Sequence, residues 1–275
     1  MALQPETRNL ALFCDFENVA LGVREAKYAQ FDINKVLERL LLKGSIVVKK
    51  AYCDWERYKD FRAAMHYASF ELIEVPHVSQ SGKNSADIRM VVDALDLCYT
   101  KAHVDTFVII SGDSDFSPLV SKLRENNKTV IGVGVKNSTS ELLIANCDEF
   151  IYYDDLVRAQ KAKQAPKKKI EEKGSKAAAP TVHKTDAARK QEAFDLVLET
   201  VEALIAERGE DEKVWGSMVK QALKRRKPGF NENYYGFKSF NALLEEAKSR
   251  RLLELERDEK SGGYLVKGAV VDRPQ

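Results

Sequence analysis

Short apolar runs alternate with longer amphipathic stretches from near the start of the chain to about residue 155. The short runs are typical of buried strands, and the longer stretches repeat their apolar positions with the period of a helix. Such alternation predicts strand-helix units and a largely parallel sheet between two helix layers. The predicted strands lie near residues 10–15, 45–51, 70–75, 105–110, 128–134 and 149–152. The predicted helices lie near residues 32–43, 56–68, 86–101, 116–126 and 139–146.

The pattern changes between residues 158 and 188, where Lys, Ala, Gln and Pro dominate and aromatic residues are absent. This composition predicts a flexible linker. Residues 1–157 hold 18 basic and 23 acidic groups, a balance of −5, whereas residues 158–190 hold 11 and 3, a balance of +8. The linker is therefore a solvated tether, an electrostatic arm for polyanions, or both.

Helical periodicity returns after the linker and predicts three helices, followed by two short strands around Lys260–Gly262. Three helices and a hairpin favour a small winged helix-turn-helix of the α+β class. The sequence thus predicts an α/β domain at 1–157, a basic linker at 158–188 and a winged-helix domain at 189–270.

Oxygen-bearing side chains follow two of the predicted strands. Asp15 and Asn18 follow the first strand in a predicted loop, and Asp113 and Asp115 follow the strand that ends at Ile110. Asp87 opens a predicted helix, where an acidic residue also suits the helix dipole. In parallel sheets, ligands bind beyond the carboxyl ends of the strands, so these side chains are expected to face a cleft.

Carboxylate and amide oxygens suit Mg²⁺ or Mn²⁺, which bridge to phosphate oxygens and activate water. This chemistry predicts hydrolysis of a phosphodiester. Lys83 is a candidate phosphate contact, although a solvated loop lysine is the simpler interpretation. The scattered cysteines and histidines predict neither a disulfide nor a zinc site.

The segments Phe13–Asn18, Asp87–Arg89 and Ser111–Phe116 closely resemble the NYN domain, a member of the PIN-like nuclease group, and its LabA-like branch most strongly. The resemblance covers about 150 residues and implies a PIN-like three-layer sandwich with a central, mostly parallel sheet. It also implies a metal-dependent ribonuclease site. The residues that match family motif positions are Asp15, Asn18, Asp87, Asp113 and Asp115, and Asp93 is left as a supporting residue.

The C-terminal region similarly resembles the OST-HTH or LOTUS domain, through Val214–Ser217, Pro228–Asn231 and Tyr235–Leu244. Relatives bind RNA or protein partners, which implies a targeting role. This region contains a basic run that consists of Lys224, Arg225, Arg226 and Lys227. The run is a candidate RNA contact, and the alternative interpretation is a solvated helix end. PIN-like domains commonly form homodimers, but the pattern identifies no self-complementary surface.

Two alternatives stay open. A haloacid-dehalogenase-type phosphatase also uses an Asp after its first strand, but it needs a second Asp where this chain has Glu17. A non-catalytic RNA-binding adaptor would keep the acidic cluster as a structural network. The chain has no run of eighteen apolar residues and no signal-peptide pattern at its start, so a cytoplasmic protein without a membrane partner is expected.

Overall fold

The computed structural model describes residues 8–28, 30–75, 85–164, 186–209, 212–227, 229–258 and 263–269. The chain divides into two compact units between Pro166 and Lys167. Three predicted features lie outside the described residues: Lys83, residues 165–185 of the predicted linker, and residues 259–262, which include the predicted hairpin turn. In the described part of the chain, every helix is too short or too polar to span a lipid bilayer.

The first unit contains one six-stranded sheet in which every strand pair is parallel. The strands are β1 Arg8–Asp15, β2 Gly44–Cys53, β3 Glu71–Glu74, β4 Thr106–Ile110, β5 Thr129–Gly134 and β6 Glu149–Tyr152. All six correspond to strands expected from the apolar runs. The α/β fold class predicted from the sequence is therefore confirmed.

Among the described residues, seven α-helices connect and flank these strands. They are α1 Phe16–Glu25, α2 Ile33–Lys43, α3 Lys59–Tyr67, α4 Ser85–Thr100, α5 Ser117–Glu125, α6 Glu141–Asn146 and α7 Tyr153–Gln164. The sequence pattern indicated α2 to α6. Helix α7 continues past residue 157, where the pattern placed the end of the first domain.

Helix α1 corrects the expectation that Asp15 and Asn18 lie in a loop. Asp15 is the N-cap of this helix, and its side chain accepts a hydrogen bond from the Asn18 backbone N–H. Gly22 interrupts the helical pattern and lowers helix propensity. A Cβ at this position would lie 2.3 Å from the Ser138 hydroxyl, so close packing explains the glycine.

Alternate residues of each central strand enter separate cores on the two faces of the sheet. In β1, Leu12 and Cys14 pack on one face, and Phe13 packs on the other. Phe16 lies at the centre of the first core, where it contacts Phe31, Trp55, Tyr58 and Phe61. Burial on both faces explains why these strands read as continuous apolar runs.

The strand order of the sheet is β3-β2-β1-β4-β5-β6. The chain therefore builds outward from β1 in one direction, returns to the centre, and builds outward from β4 in the other. The two central strands are neighbours, with Cys14 paired to Ile110. This reversal creates a crevice at their carboxyl ends, where open α/β sheets bind ligands.

The second unit contains three helices and a small antiparallel sheet, in the order helix, strand, helix, helix, strand, strand. Its elements are α8 Asp186–Arg208, β7 Val214–Trp215, α9 Gly216–Arg226, α10 Phe240–Ser249, β8 Leu253–Arg257 and β9 Tyr264–Ala269. The sheet order is β7-β9-β8. Phe237 and Phe240 are buried, as the sequence pattern favoured. The predicted helices and hairpin are present, with a short third strand.

Candidate active site at the carboxyl ends of β1 and β4

The candidate site begins where the two central strands end side by side. Asp15 is the last residue of β1, and Ser111 directly follows β4. The Ser111 hydroxyl donates a hydrogen bond of 2.9 Å to Asp15 Oδ2. Both residues are buried, with 7% of Asp15 and none of Ser111 exposed. Asp15 therefore lies buried at the carboxyl ends of the two central strands.

Asn18 holds the two sides of the crevice together. Its side-chain Oδ1 accepts a hydrogen bond of 2.8 Å from the Gly112 backbone N–H. Its own backbone N–H points to Asp15 Oδ1 at 3.3 Å. Asn18 thus connects the start of α1 to the turn after β4, which is a positioning role.

The turn after β4 carries the next two carboxylates. Asp113 caps a short 3₁₀ turn at Ser114–Phe116 and accepts a hydrogen bond of 2.9 Å from the Asp115 backbone N–H. The Asp113 backbone N–H donates to the Ser111 hydroxyl at 3.2 Å, so Ser111 links both acidic elements. Asp113 is half-buried and Asp115 is exposed, which places them progressively nearer the rim.

Gly112 is required by a close backbone approach rather than by the conformation of the turn. A Cβ at residue 112 would lie 2.5 Å from the Ser138 carbonyl oxygen and 3.0 Å from Thr139 Cα. The Ser140 backbone N–H donates to the Gly112 carbonyl at 2.9 Å. The segment after β5 therefore packs directly on the turn, and any side chain at residue 112 would displace it.

Burial and mutual repulsion raise the pKa of two aspartates of the site. Burial raises the pKa of Asp15 to about 7, with further increases from Asp87 and Asp113; hydrogen bonds from Ser111 and Asn18 oppose the shift. Burial also raises the pKa of Asp87 to about 6, assisted by the charges of Asp113 and Asp115. The structure thus brings the four predicted aspartates into one electrostatic cluster.

Glu17, in the first turn of α1, also borders this cluster. Its charge contributes to the raised pKa of Asp87. Arg57, in the turn after β2, forms an ion pair of 3.2 Å with Glu17 and is half exposed. The charge of Arg57 is therefore paired with Glu17.

Asp93 belongs to a different network, although it lies on the same helix as Asp87. Its carboxylate accepts a hydrogen bond from the Tyr52 hydroxyl at 2.9 Å. It also forms ion pairs with Lys50 and Arg89, at 3.3 and 3.2 Å. Asp93 is thus compensated by two cations and attaches α4 to β2.

The residues of the C-terminal basic run differ in their exposure and in their contacts. Arg226 pairs with Glu199 of α8 at 2.8 Å, and only 10% of its side chain is exposed. Arg225 is half-buried, and burial lowers its pKa. Lys224 and Lys227 are exposed. Arg226 therefore stabilises the helix packing, while the two lysines remain accessible to a ligand.

The described residues contain no group of three His, Cys, Asp or Glu side chains arranged closely enough to hold a metal ion unaided. A magnesium site does not require one. Mg²⁺ retains several waters and is usually held by one or two carboxylates together with substrate phosphates. Carboxylate oxygens are the type of ligand that such a cation prefers.

Sequence reasoning missed two parts of this site. Ser111 donates a hydrogen bond to Asp15 and accepts one from the Asp113 backbone N–H. In the sequence, the only indication of this role is the position of Ser111 between a buried strand and Gly112. The segment from Lys136 to Ser140 packs on Gly112 and on Gly22. Its only sequence signal was the pair of glycines in β5, because its contacts join residues far apart in the chain.

Three comparisons place this fold among known proteins. Residues 9–156 match the NYN domain model, which is more than half of the chain. A protein of Methanocaldococcus jannaschii, described as uncharacterized, is 29% identical over 150 residues, covering 52% of this chain and 56% of that protein.

A crystal structure of a protein of unknown function from Vibrio parahaemolyticus shares 29% identity with a TM-score of 0.50. That match covers 56% of this chain and 98% of the Vibrio chain. The similarity therefore spans nearly all of the Vibrio protein and about half of this one. The parallel sheet and the acidic residues at its carboxyl edge are consistent with the match to the NYN domain model. The chain therefore belongs to the NYN domain family of the PIN-like nuclease superfamily.

Proposed function

We propose that the protein is a metal-dependent endoribonuclease that hydrolyses RNA phosphodiester bonds with Mg²⁺ or Mn²⁺. The observation that carries this proposal is the cluster of four aspartates, in which burial and neighbouring carboxylates raise the pKa of Asp15 and Asp87. Metal ligands in this proposal are Asp15, Asp87, Asp113 and Asp115, with Asn18 as a catalytic-site positioning residue. Membership in the NYN family supports a nuclease role.

Raised aspartate pKa values support cation binding. In the absence of a cation, burial and the nearness of other carboxylates make ionisation of Asp15 and Asp87 costly in free energy, and this cost appears as their raised pKa. A divalent ion would remove the repulsion. When bound, such an ion neutralises the scissile phosphate and lowers the pKa of an attacking water.

The chain's own residues would fix the geometry of the reaction. Ser111 and Asn18 hold the Asp15 carboxylate and the turn after β4 in place. Asp115 lies at the rim, beside an open groove of about 470 Å³ lined by Ser114, Ser117, Pro118, Ser121 and Leu142. An RNA strand that enters this groove would bring its backbone to the rim carboxylate. Lys83 remains a proposed phosphate contact.

The burial of Asp15 disfavours the phosphatase alternative. A phosphatase of the haloacid-dehalogenase type needs an accessible carboxylate oxygen at this position for attack on phosphorus. Both oxygens of Asp15 accept hydrogen bonds, and 7% of the residue is exposed. Asp15 is better placed to support a cation than to act as a nucleophile.

The second unit is proposed as a targeting module of the OST-HTH or LOTUS type, and the first unit as a member of the LabA-like branch. In the second unit, Lys224 and Lys227 are exposed basic residues at the end of α9. Tyr234 is 58% exposed, and the Arg189 guanidinium lies 5.4 Å from the centroid of the Tyr234 ring. Basic and aromatic groups together can hold single-stranded RNA. A protein partner is the alternative ligand.

Cleavage of RNA tests the proposed function directly. Purified protein is incubated with labelled single-stranded and structured RNA in Mn²⁺, Mg²⁺ or EDTA. We expect internal cleavage with metal, none with EDTA, and a loss of at least 100-fold in Asp113→Asn. Asp60→Asn is the matched control, because Asp60 is an exposed carboxylate of α3 outside the cluster. Cleavage that survives in Asp113→Asn contradicts the proposal, and RNA binding without cleavage supports the adaptor.

A further inference from the structure

Arg57 lies at the same edge of the sheet as the acidic crevice. It belongs to the turn that follows β2, and the end of β2 pairs in parallel with the end of β1. Tyr52 of β2 is the register partner of Asp15. Because parallel strands end at a common edge, the turn after β2 lies at the carboxyl edge that also carries the acidic cluster.

The turn that carries Arg57 is held by hydrogen bonds and by one buried side chain. The Asp54 side chain accepts hydrogen bonds from the Glu56 and Arg57 backbone N–H groups, at 3.1 and 3.3 Å. Trp55 is 1% exposed, and its indole N–H donates to the Ile73 carbonyl at 3.2 Å. The backbone of Arg57 is therefore fixed, whereas its side chain is 50% exposed.

The Arg57 guanidinium lies beside a neighbour of the aspartates. Its partner Glu17 is two residues after Asp15, and the Glu17 charge contributes to the raised pKa of Asp87. The contact of 3.2 Å joins Arg57 Nη1 to one oxygen of Glu17, Oε1. A guanidinium has five N–H donors in a planar fork, so this contact uses a small part of its donor capacity.

An ion pair of this kind can be exchanged at little cost. The side chains of Arg57 and Glu17 are 50% and 35% exposed, and pairs in contact with water contribute little to stability. A phosphate accepts two hydrogen bonds from a guanidinium at once, which is stronger than a single contact. Replacement of Glu17 by a phosphate is therefore favourable for Arg57.

We infer that Arg57 binds a backbone phosphate of the RNA next to the scissile one, and that Glu17 holds the guanidinium when RNA is absent. The contact rests on the proposed function, because it takes RNA as the ligand of the crevice. Arg57 holds the strand in the ground state and in the transition state alike, so it contributes to KM rather than to kcat.

RNA binding in EDTA tests the contact without cleavage. Fluorescence anisotropy with labelled single-stranded RNA is measured between about 50 and 200 mM salt. We expect Arg57→Ala to weaken binding about five- to tenfold, and the slope of log K against log salt to become shallower by about 0.7, as for one lost phosphate contact. Arg57→Lys keeps the charge but not the fork, so it should keep the wild-type slope with an intermediate affinity. Equal binding by Arg57→Ala and wild type overturns the inference, as does a wild type that binds no RNA.

Arg124→Ala is the matched control. Arg124 forms an ion pair of 3.0 Å with Asp148, and these side chains are 47% and 33% exposed. Asp148 accepts a hydrogen bond from the Val130 backbone N–H near the start of β5, so this pair lies at the opposite, amino edge of the sheet. Arg124→Ala should bind RNA like wild type, and thermal melting confirms that both variants are folded. A loss as large as that of Arg57→Ala would reflect general charge and would contradict a specific contact.

Glu17→Gln tests the exchange, because it should have the opposite effect to Arg57→Ala. Loss of the competing carboxylate frees the guanidinium, and we expect RNA binding in EDTA to become about threefold tighter. This gain should be largely absent when Glu17→Gln is combined with Arg57→Ala. Weaker binding by Glu17→Gln, or an equal gain in the double variant, would show that Glu17 does not compete with RNA for Arg57.

Cleavage kinetics distinguish this contact from the proposed reaction. With Mn²⁺, Arg57→Ala should raise KM about five- to tenfold and change kcat by less than about twofold. A fall in kcat at unchanged KM contradicts the assigned role of Arg57. A wild-type chain that binds RNA but never cleaves it contradicts the proposed ribonuclease, and the binding measurements still decide whether Arg57 contacts phosphate.

Discussion

Individual side chains of the crevice combine structural and chemical roles. Asp15 caps α1 and also lies buried at the carboxyl ends of the central strands. Asp113 caps the 3₁₀ turn and contributes to the charge cluster. A cap needs only one carboxylate oxygen, so the same residue retains acceptor capacity for a cation. Removal of such a residue changes stability and activity together, and these effects have to be measured separately.

Asp87→Asn separates stability from activity, because the Asp87 side chain has no hydrogen bond with another described residue that the amide would break. The pKa of Asp87 is raised to about 6, so its protonated form stabilises the fold below about pH 4 and this contribution is lost as pH rises through 6. In EDTA at pH 8, we expect Asp87→Asn to be more stable than wild type by about 1 to 2 kcal/mol. The difference should vanish near pH 4.

Thermal or chemical unfolding across this pH range checks the prediction, and added Mn²⁺ supplies a second readout. Mn²⁺ should raise the melting temperature of wild type more than that of Asp87→Asn. If Asp87→Asn is less stable than wild type at pH 8 in EDTA, burial and neighbouring charge do not destabilise the ionised Asp87 side chain.

Gly112→Ala should damage the site through packing. The new methyl group would meet the Ser138 carbonyl at 2.5 Å, so the segment after β5 must move. We expect a loss of about 1 to 3 kcal/mol in unfolding free energy and a larger relative loss of RNA cleavage. Gly229→Ala is the control, because no atom lies within 4 Å of its Cβ position. Equal stability of the two variants would contradict the close approach.

At the scale of elements, the basic end of α9 shows how one motif can serve two purposes. Arg226 lies against α8, where it pairs with Glu199 and approaches the Thr200 hydroxyl at 3.4 Å. Lys224, two residues earlier, is exposed. Because each residue of a helix is rotated by about 100° from the one before it, these two side chains lie on different faces of α9, although they belong to one run in the sequence.

Arg226→Ala and Lys224→Ala should therefore affect different properties, the first protein stability and the second RNA binding. We expect Arg226→Ala to lower unfolding free energy by about 1 to 2 kcal/mol, because a largely buried guanidinium and its packing are lost. Lys224→Ala should change stability by less than about 0.5 kcal/mol and should weaken RNA binding. Thermal melting and fluorescence anisotropy with labelled RNA measure the two quantities. A stable Arg226→Ala protein with weakened RNA binding would reverse these assignments.

At the scale of the whole molecule, charge is distributed unevenly along the chain. Residues 1–157 carry a balance of −5 and contain the acidic crevice, and residues 158–190 carry +8. An acidic site repels RNA unless a cation and nearby positive charge offset it. We predict that the basic segment at residues 158–190 supplies such charge.

Replacement of Lys167, Lys168 and Lys169 by Gln should therefore lower the salt dependence of RNA binding. If all three lysines contact phosphates, the slope of log K against log salt should become shallower by about 2 for single-stranded RNA. The matched control replaces Lys27, Lys59 and Lys101, which are exposed lysines of the first unit. An unchanged slope in the linker variant would show that the linker is only a tether.

The amino-acid sequence by itself determined the parallel strands, most helices and the identity of the clustered aspartates, because periodicity and strand-end motifs are local properties of the chain. Helix α1 was missed because Gly22 weakens its pattern, and the reason for Gly22 lies in Ser138, over one hundred residues away. Only the tertiary structure decided that Asp87 joins the acidic cluster while Asp93 is neutralised by Lys50 and Arg89. Burial and charge compensation depend on neighbours from other elements, and spacing along one helix does not specify them.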